Sequence, residues 1–303
     1  TNAPPTSGMK FPNEKNSNQD IFEFIVDLLI ALSVLWAIYG LYEQTQILER
    51  LGYDHFTLKV FSRRENRLNS VFFNANYYAM MIEFTIMMIG YKIFGTKNVK
   101  KQLYYFIVAC LNFFLLYMTG CRTAFVATAG AMLVFLIINK NYRICSLIGL
   151  LCIIGGIYFI FNPEQFPRIE KLVDNFTVRT KIWHAAIEGI KAHPLFGQGP
   201  MTYMMIFKQY GGHVTQHAHS VYLDPILSFG VVGVATLVPY MFDNCKRLFK
   251  VYQEKLNLRY VALVISCIAV ILLHGVLDYT IFWVHTGMLF LLIASSFEMF
   301  KHK

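Results

Sequence analysis

The stretch "LYYFIVACLNFFLLYMTGCRTAFVATAGAMLVFLIIN" (Leu103–Asn139) is apolar throughout except for a single charged residue, Arg122. One helix crossing a hydrocarbon core of about 30 Å needs only roughly 20 residues, so the stretch is too long for one span. An arginine at mid-bilayer would cost roughly 2.5–3.5 kcal/mol. The segment therefore reads as two helices meeting at a turn, Thr119–Thr123, at one membrane face. The same length rule gives further runs at Ile21–Tyr42, Val71–Phe94, Ile144–Phe161, Val221–Phe242, Tyr260–Tyr279 and Phe282–Phe297. With Leu103–Met118 and Thr123–Asn139 these make about eight spans.

Composition agrees. Of 303 residues, 56% are hydrophobic and 15% charged, with a mean hydropathy of +0.45, whereas soluble domains carry about 25% charged residues. An ordinary soluble domain is excluded, and the expected class is an all-α polytopic membrane protein. Residues 1–20 are expected to form a polar N-terminal segment and residues 21–303 a transmembrane domain of about eight helices. The long segment 162–220 would be an extracytoplasmic loop.

Orientation follows from clustered Lys and Arg in 91–102, 139–143, 245–259 and the closing "KHK" (301–303), which the positive-inside rule places in the cytoplasm. The Arg122 turn, 44–70 and 162–220 then face outward. Those outer segments are themselves basic, with Arg50, Lys59, Arg63, Arg64 and Arg67 in one and Arg168, Lys171, Arg179, Lys181, Lys191 and Lys208 in the other. Such a surface suits an anionic ligand or lipid headgroup, or is simply solvated loop charge. The six cysteines show no metal or disulfide spacing and read as small buried hydrophobes.

Within the outer loop, "RTKIWHAAIEGIKAHP" (179–194) predicts a helix with an apolar stripe of Ile182, Trp183, Ala186, Ile187 and Ile190, stopped by Pro194. Arg179 stands four residues before Trp183, on the same face, which is also the place of a snorkelling arginine. In "HPLFGQGP" (193–200), Gly197 and Gly199 permit a tight turn, a weak phosphate-cradle signal. "QHAHSVYLDPILSFGVVG" (216–233) puts His217 and His219 at the mouth of a span that Ser220 can cap. Gly230 and Gly233 would let another helix pack closely on a face pointing back towards His219. Two histidines two apart can hold a metal, but no third ligand with sensible spacing lies nearby, so none is expected.

Taken together, Arg179-x3-Trp183, "HPLFGQGP", His219-Ser220 and Gly230-x-x-Gly233 resemble the O-antigen ligase and Wzy-type polysaccharide polymerase family. "RLNSVFFNANYYA" (67–79), "GCRTAF" (120–125) and "LLHGVLDYTIFWVHTG" (272–287) are similar to further segments of that family. The resemblance covers roughly Ile21 to Phe297. It implies a GT-C-like membrane glycosyltransferase of the bacterial cell membrane that moves a glycan from an undecaprenyl-diphosphate carrier onto a sugar hydroxyl, on the outer face. The implied partners are that lipid-linked donor, a glycan or lipid-linked acceptor and the bilayer. Neither a cofactor, a metal nor a nucleic acid is expected.

A diphosphate leaving group developing negative charge needs fixed cations, and arginine supplies a permanent, bidentate one. Arg179 and Arg122 are expected in that role, with Arg67 a third candidate. An imidazole, titrating near 6.5 when unperturbed, suits proton removal from the acceptor hydroxyl at neutral pH, and His219 is the expected base. His217 is expected to orient the loop or touch sugar, and Asp278 to hold a histidine tautomer or bind an acceptor hydroxyl. Trp183 either stacks on sugar or anchors its helix in the interface. The alternative of a transporter or flippase for lipid-linked sugars rests on Glu83, an ionisable group inside an apolar run; a non-catalytic scaffold is the third reading.

Overall fold

A computed structural model describes residues 14–54, 66–163 and 172–300. The basic residues Lys59, Arg63, Arg64, Arg168 and Lys171, and most of the polar segment 1–20, lie outside them. Among the described residues the chain is helical, without a strand. The expected turn is present between α3 (Val99–Met118) and α4 (Arg122–Ile138). The Thr119 hydroxyl donates to the Leu116 carbonyl at 2.6 Å, closing α3, and Gly120 at φ 58° reverses the chain.

At the centre stands α2 (Ala75–Ile93), buried almost along its whole length and packed by α1 (Glu14–Arg50), α3, α4 and α10 (Leu258–His274). Its amino end is fixed by Asn74, whose side chain accepts from the Asn76 amide at 2.8 Å, a standard capping bond. By contrast, α5 (Tyr142–Phe161) has no buried residue, as an apolar helix facing lipid would not.

Among the described residues, three helices are long and apolar enough to cross a membrane: 19–50 within α1, α3 and α5. A fourth is the pair α8 (Asp224–Ala235) and α9 (Leu237–Gln253), bent by 71°. Of the about eight spans expected, three or four therefore qualify by length and composition, and α4, α10 and α11 (Val284–Ser295) are shorter apolar helices. The physical reasons are visible. Helix α2 carries Asn76, Glu83 and Lys92 because protein, not lipid, surrounds it. Helices α4 and α10 have 17 residues and α11 has 12, so even the longer two rise only about 25 Å.

The loops sort to two ends of the bundle. At one, Lys92 pairs with Glu23 and Asp27, Arg259 donates to the Tyr91 carbonyl at 3.2 Å, and Phe94 meets Phe135. At the other, Arg67 Nε–H donates to the Thr119 carbonyl at 2.6 Å, Glu43 accepts from the Ser70 amide at 2.7 Å, and the Val221 amide donates to the Gly275 carbonyl at 2.8 Å. The segments expected outward thus share one end, opposite 91–102 and 245–259.

Two details differ from expectation. The run 221–242 is not one helix: α8 starts at Asp224 and breaks at Gly230, which has φ 65° and ψ −179°. Gly230 does not receive another helix. A Cβ there would lie 2.2 Å from the Leu195 carbonyl oxygen, because the 193–200 turn lies directly on the break. The Val231 and Val232 amides donate to the Pro194 and Leu195 carbonyls at 2.9 and 3.0 Å, and Gly199 N–H to the Ser228 carbonyl at 2.8 Å. The glycine turn is therefore a backbone staple, and its Gly199 amide is spent inside the protein instead of on a phosphate. The three-turn step from His219 to Gly230 also lapses, since the path is not continuous helix. The loop helix α6 runs Leu172–Ala192 and ends before Pro194 as expected. It buries Ile182, Ala185 and Ala186 with Tyr203, Ile206, Ala218 and Leu227 as a second small core, while Ile187 faces out.

Gly230→Ala should be strongly destabilising, because this backbone region is open essentially to glycine alone and costs other residues about 1–3 kcal/mol before any clash. Gly155→Ala, where an added Cβ meets nothing within 4 Å, should be neutral or slightly stabilising. Thermal unfolding in detergent checks the contrast.

Candidate functional site

Four segments meet at the end away from Lys92: the start of α2, the α3–α4 turn, residues 215–220 and the link that follows α10. His219 lies on the third with φ 50°, an uncommon conformation for a residue with a side chain. Asp224 holds that bend from behind, its carboxylate accepting from the Ala218 amide at 2.5 Å. The bend turns the His219 ring towards Asp278, whose Oδ1 lies 2.7 Å from His219 Nδ1.

Asp278 is a well-supported carboxylate. Its Oδ1 also accepts from the Tyr279 amide at 2.8 Å, and its Oδ2 accepts from the Asn76 side-chain amide. Burial alone would raise its titration, but the adjacent His219 and the Arg179 guanidinium together hold the carboxyl well below the usual range. An ionised Asp278 accepts from Nδ1–H, which leaves a lone pair on Nε2. The Thr215 hydroxyl sits 2.9 Å from that Nε2. The His219 side chain is 18% exposed and that of Asp278 5%, so the imidazole is reachable while the carboxylate behind it is enclosed. This is the base-and-orienter arrangement of acyl-transfer triads without their nucleophile.

His217 stacks edge-on against His219, with ring centroids 4.3 Å apart, and its Nδ1 accepts from the His219 amide at 3.3 Å. Burial first, and then the neighbouring His219, push its titration down to about 4. It is a neutral spacer at ordinary pH, which fits loop orientation better than proton transfer.

The arginines divide. Arg179, on α6, is close enough for its charge to act on both His217 and Asp278. Arg122 opens α4 and interacts with Arg67. Arg67 is joined to the same group through Asn76, whose Oδ1 accepts from Arg67 Nη2. Trp183 packs against the loop's own small core, edge-on to Phe176 at 6.3 Å.

Sequence reasoning named His217, His219 and Asp278 separately but saw no third member for a metal-like trio. Their ligand atoms in fact lie within 4.8 Å of one another. Several of their polar atoms also hydrogen-bond: His219 Nδ1 to Asp278, Asp278 Oδ2 to Asn76, and His217 Nδ1 to the His219 amide. Asn76 and Thr215 were missed, although the Asn-x-Asn pair opening α2 was a visible signal. Glu83, the support for a transport reading, has a partner inside the bundle: Oε2 lies 2.7 Å from His274 Nδ1, with both side chains fully buried.

A comparison with known families matches one span of the chain. Residues 107–238 match the O-antigen ligase family. No curated protein matches the chain. The O-antigen ligase segment contains Arg122, Arg179, Trp183, His217, His219 and the Gly230 staple, and leaves Arg67, Asn76 and Asp278 on either side.

The depressed His217 value has a definite sign. Between pH 6.5 and about 4 the unfolded chain takes up a proton that the folded one refuses, so stability falls as the pH falls through that window and not above it. The loss from this group is on the order of 3 kcal/mol at most. His217→Gln should flatten the decline in unfolding temperature between pH 7 and pH 4.5, and should leave the acid limb of any activity profile above pH 5 in place.

Proposed function

We propose that the protein transfers a glycan from an undecaprenyl-diphosphate-linked donor to a sugar hydroxyl at the outer membrane face, with inversion and without a metal. The observation that carries this is the His219–Asp278 pair beside Arg179, inside a chain whose central segment is of the O-antigen ligase family.

The reaction balances on these groups. The acceptor hydroxyl gives its proton to His219 Nε2, displacing the Thr215 hydroxyl from that nitrogen. Its oxygen forms a bond to the anomeric carbon while the bond from that carbon to the carrier's phosphate oxygen breaks. The electron pair stays on the diphosphate, where Arg179 and Arg122 stabilise it. Asp278 stabilises the imidazolium that forms and keeps Nε2 turned outward. The base and the cations act on opposite sides of the anomeric carbon, which is the reason for inversion. GT-C membership, the extracytoplasmic loop and the outward orientation all belong to this reading. They are supported by the gathering of 66–70, the Arg122 turn and 215–220 at one end of the bundle.

Purified protein given a lipid-diphosphate oligosaccharide should transfer glycan: a ladder on the carrier lipid marks a polymerase, and a single step onto another acceptor marks a ligase. Movement of the lipid across liposomes without transfer contradicts the proposal. His219→Ala should lower kcat roughly 10²–10⁴-fold in folded protein. Arg179→Lys should retain part of the activity that Arg179→Ala loses, because charge survives but the planar fork does not.

A further inference from the structure

Asn76 is assigned no role by the transfer chemistry, yet its side chain touches both halves of the site. Its amide N–H donates to Asp278 Oδ2, and its carbonyl oxygen accepts from Arg67 Nη2. Arg67 is held in turn by the Thr119 carbonyl at 2.6 Å, on the turn that leads into Arg122. A continuous line of hydrogen bonds therefore runs Thr119–Arg67–Asn76–Asp278–His219.

We propose that Asn76 is a positioning residue that couples the arginine side of the centre to the base, an inference that rests on the transfer reading given above. An amide is suited to the place because it donates and accepts at once while carrying no charge. Were Arg67 to reach Asp278 directly, the ion pair would draw off the carboxylate's charge, and Asp278 would orient and stabilise the His219 imidazolium less well. With Asn76 between them, Asp278 Oδ2 is satisfied by a neutral donor, and Oδ1 is left to His219 and the Tyr279 amide.

The backbone makes this placement rigid. Asn74 caps the helix on which Asn76 stands. Seven residues on, and so on the same face of α2, Glu83 meets His274, four residues before Asp278. The two contacts fix α2 against the end of α10 at two heights. A shift of Arg67 towards a donor diphosphate would be transmitted through the amide to the carboxylate, so that donor occupancy and orientation of the base are set together.

The test combines turnover with a readout that needs no turnover. In Asn76→Ala and Asn76→Ser, kcat should fall roughly 10–100-fold, as for other groups that orient a functional ligand, while KM for the lipid-linked donor changes less than about 3-fold. In ¹⁵N-histidine NMR both variants should mix the two His219 ring tautomers, which the wild type should hold as one. Asp278→Asn serves as the reference that must disturb the ring. If His219 stays in one tautomer in both Asn76 variants while Asp278→Asn alters it, the coupling is wrong, whatever the activity. Normal kcat in both variants alongside an inactive His219→Ala also overturns it and leaves the transfer reading standing. A wild type that transfers no glycan fails the reading instead, and the NMR comparison still decides Asn76.

Discussion

The buried pair of Glu83 and His274 is the contact on which the rest of the site depends. Their 2.7 Å hydrogen bond joins the two most enclosed helices, α2 and α10, at positions with no exposure. A carboxylate or imidazole left alone in such a place is expensive, so each residue holds the other's helix in one register. Cys121, whose sulfur lies 3.7 Å from His274 Nε2, brings the α3–α4 turn to the same point. One step further along α10 the chain leaves the helix and presents Asp278. That carboxylate meets His219 only because the seam beneath it is fixed.

Around this seam the outer loop brings its own fittings. The Gly230 break and the 193–200 turn lock α8 to the end of α6 through backbone bonds, beside the Leu227 packing, and α6 then carries Arg179 towards Asp278. Strain at His219, with φ 50°, is confined to the residue whose ring does the work in the proposed chemistry, a common place to store it. The proposed transfer from a lipid-borne diphosphate would need cations and a base near the membrane surface without exposing either to hydrocarbon. Collecting them at one end of a bundle, under a loop with its own small core, meets that need.

Much of this was legible in the sequence, and the failures have physical causes. Arg122 inside a long apolar run forced a turn, and the turn is there, because a charge with no partner in sequence has few places to go. Pro194 and the apolar spacing of α6 marked the loop helix correctly, but the stripe was drawn through Ile187, and packing chose Ala185. Apolar runs do not separate a helix enclosed by protein, such as α2, from one facing lipid, such as α5, since both look hydrophobic. Gly230 and Gly233 were read as a helix-packing face, because spacing does not report φ. The relay from Arg67 to His219 joins residues 67, 76, 219 and 278, and no local pattern links positions so far apart.

If the register of α2 and α10 is what builds the site, Glu83 and His274 must be energetically coupled. A double-mutant cycle of Glu83→Gln, His274→Gln and the pair, read by unfolding in detergent, measures this directly. The expected result is that the double variant loses less than the sum of the singles, by about 1–3 kcal/mol. Additive losses, agreeing within about 0.5 kcal/mol, would contradict the account.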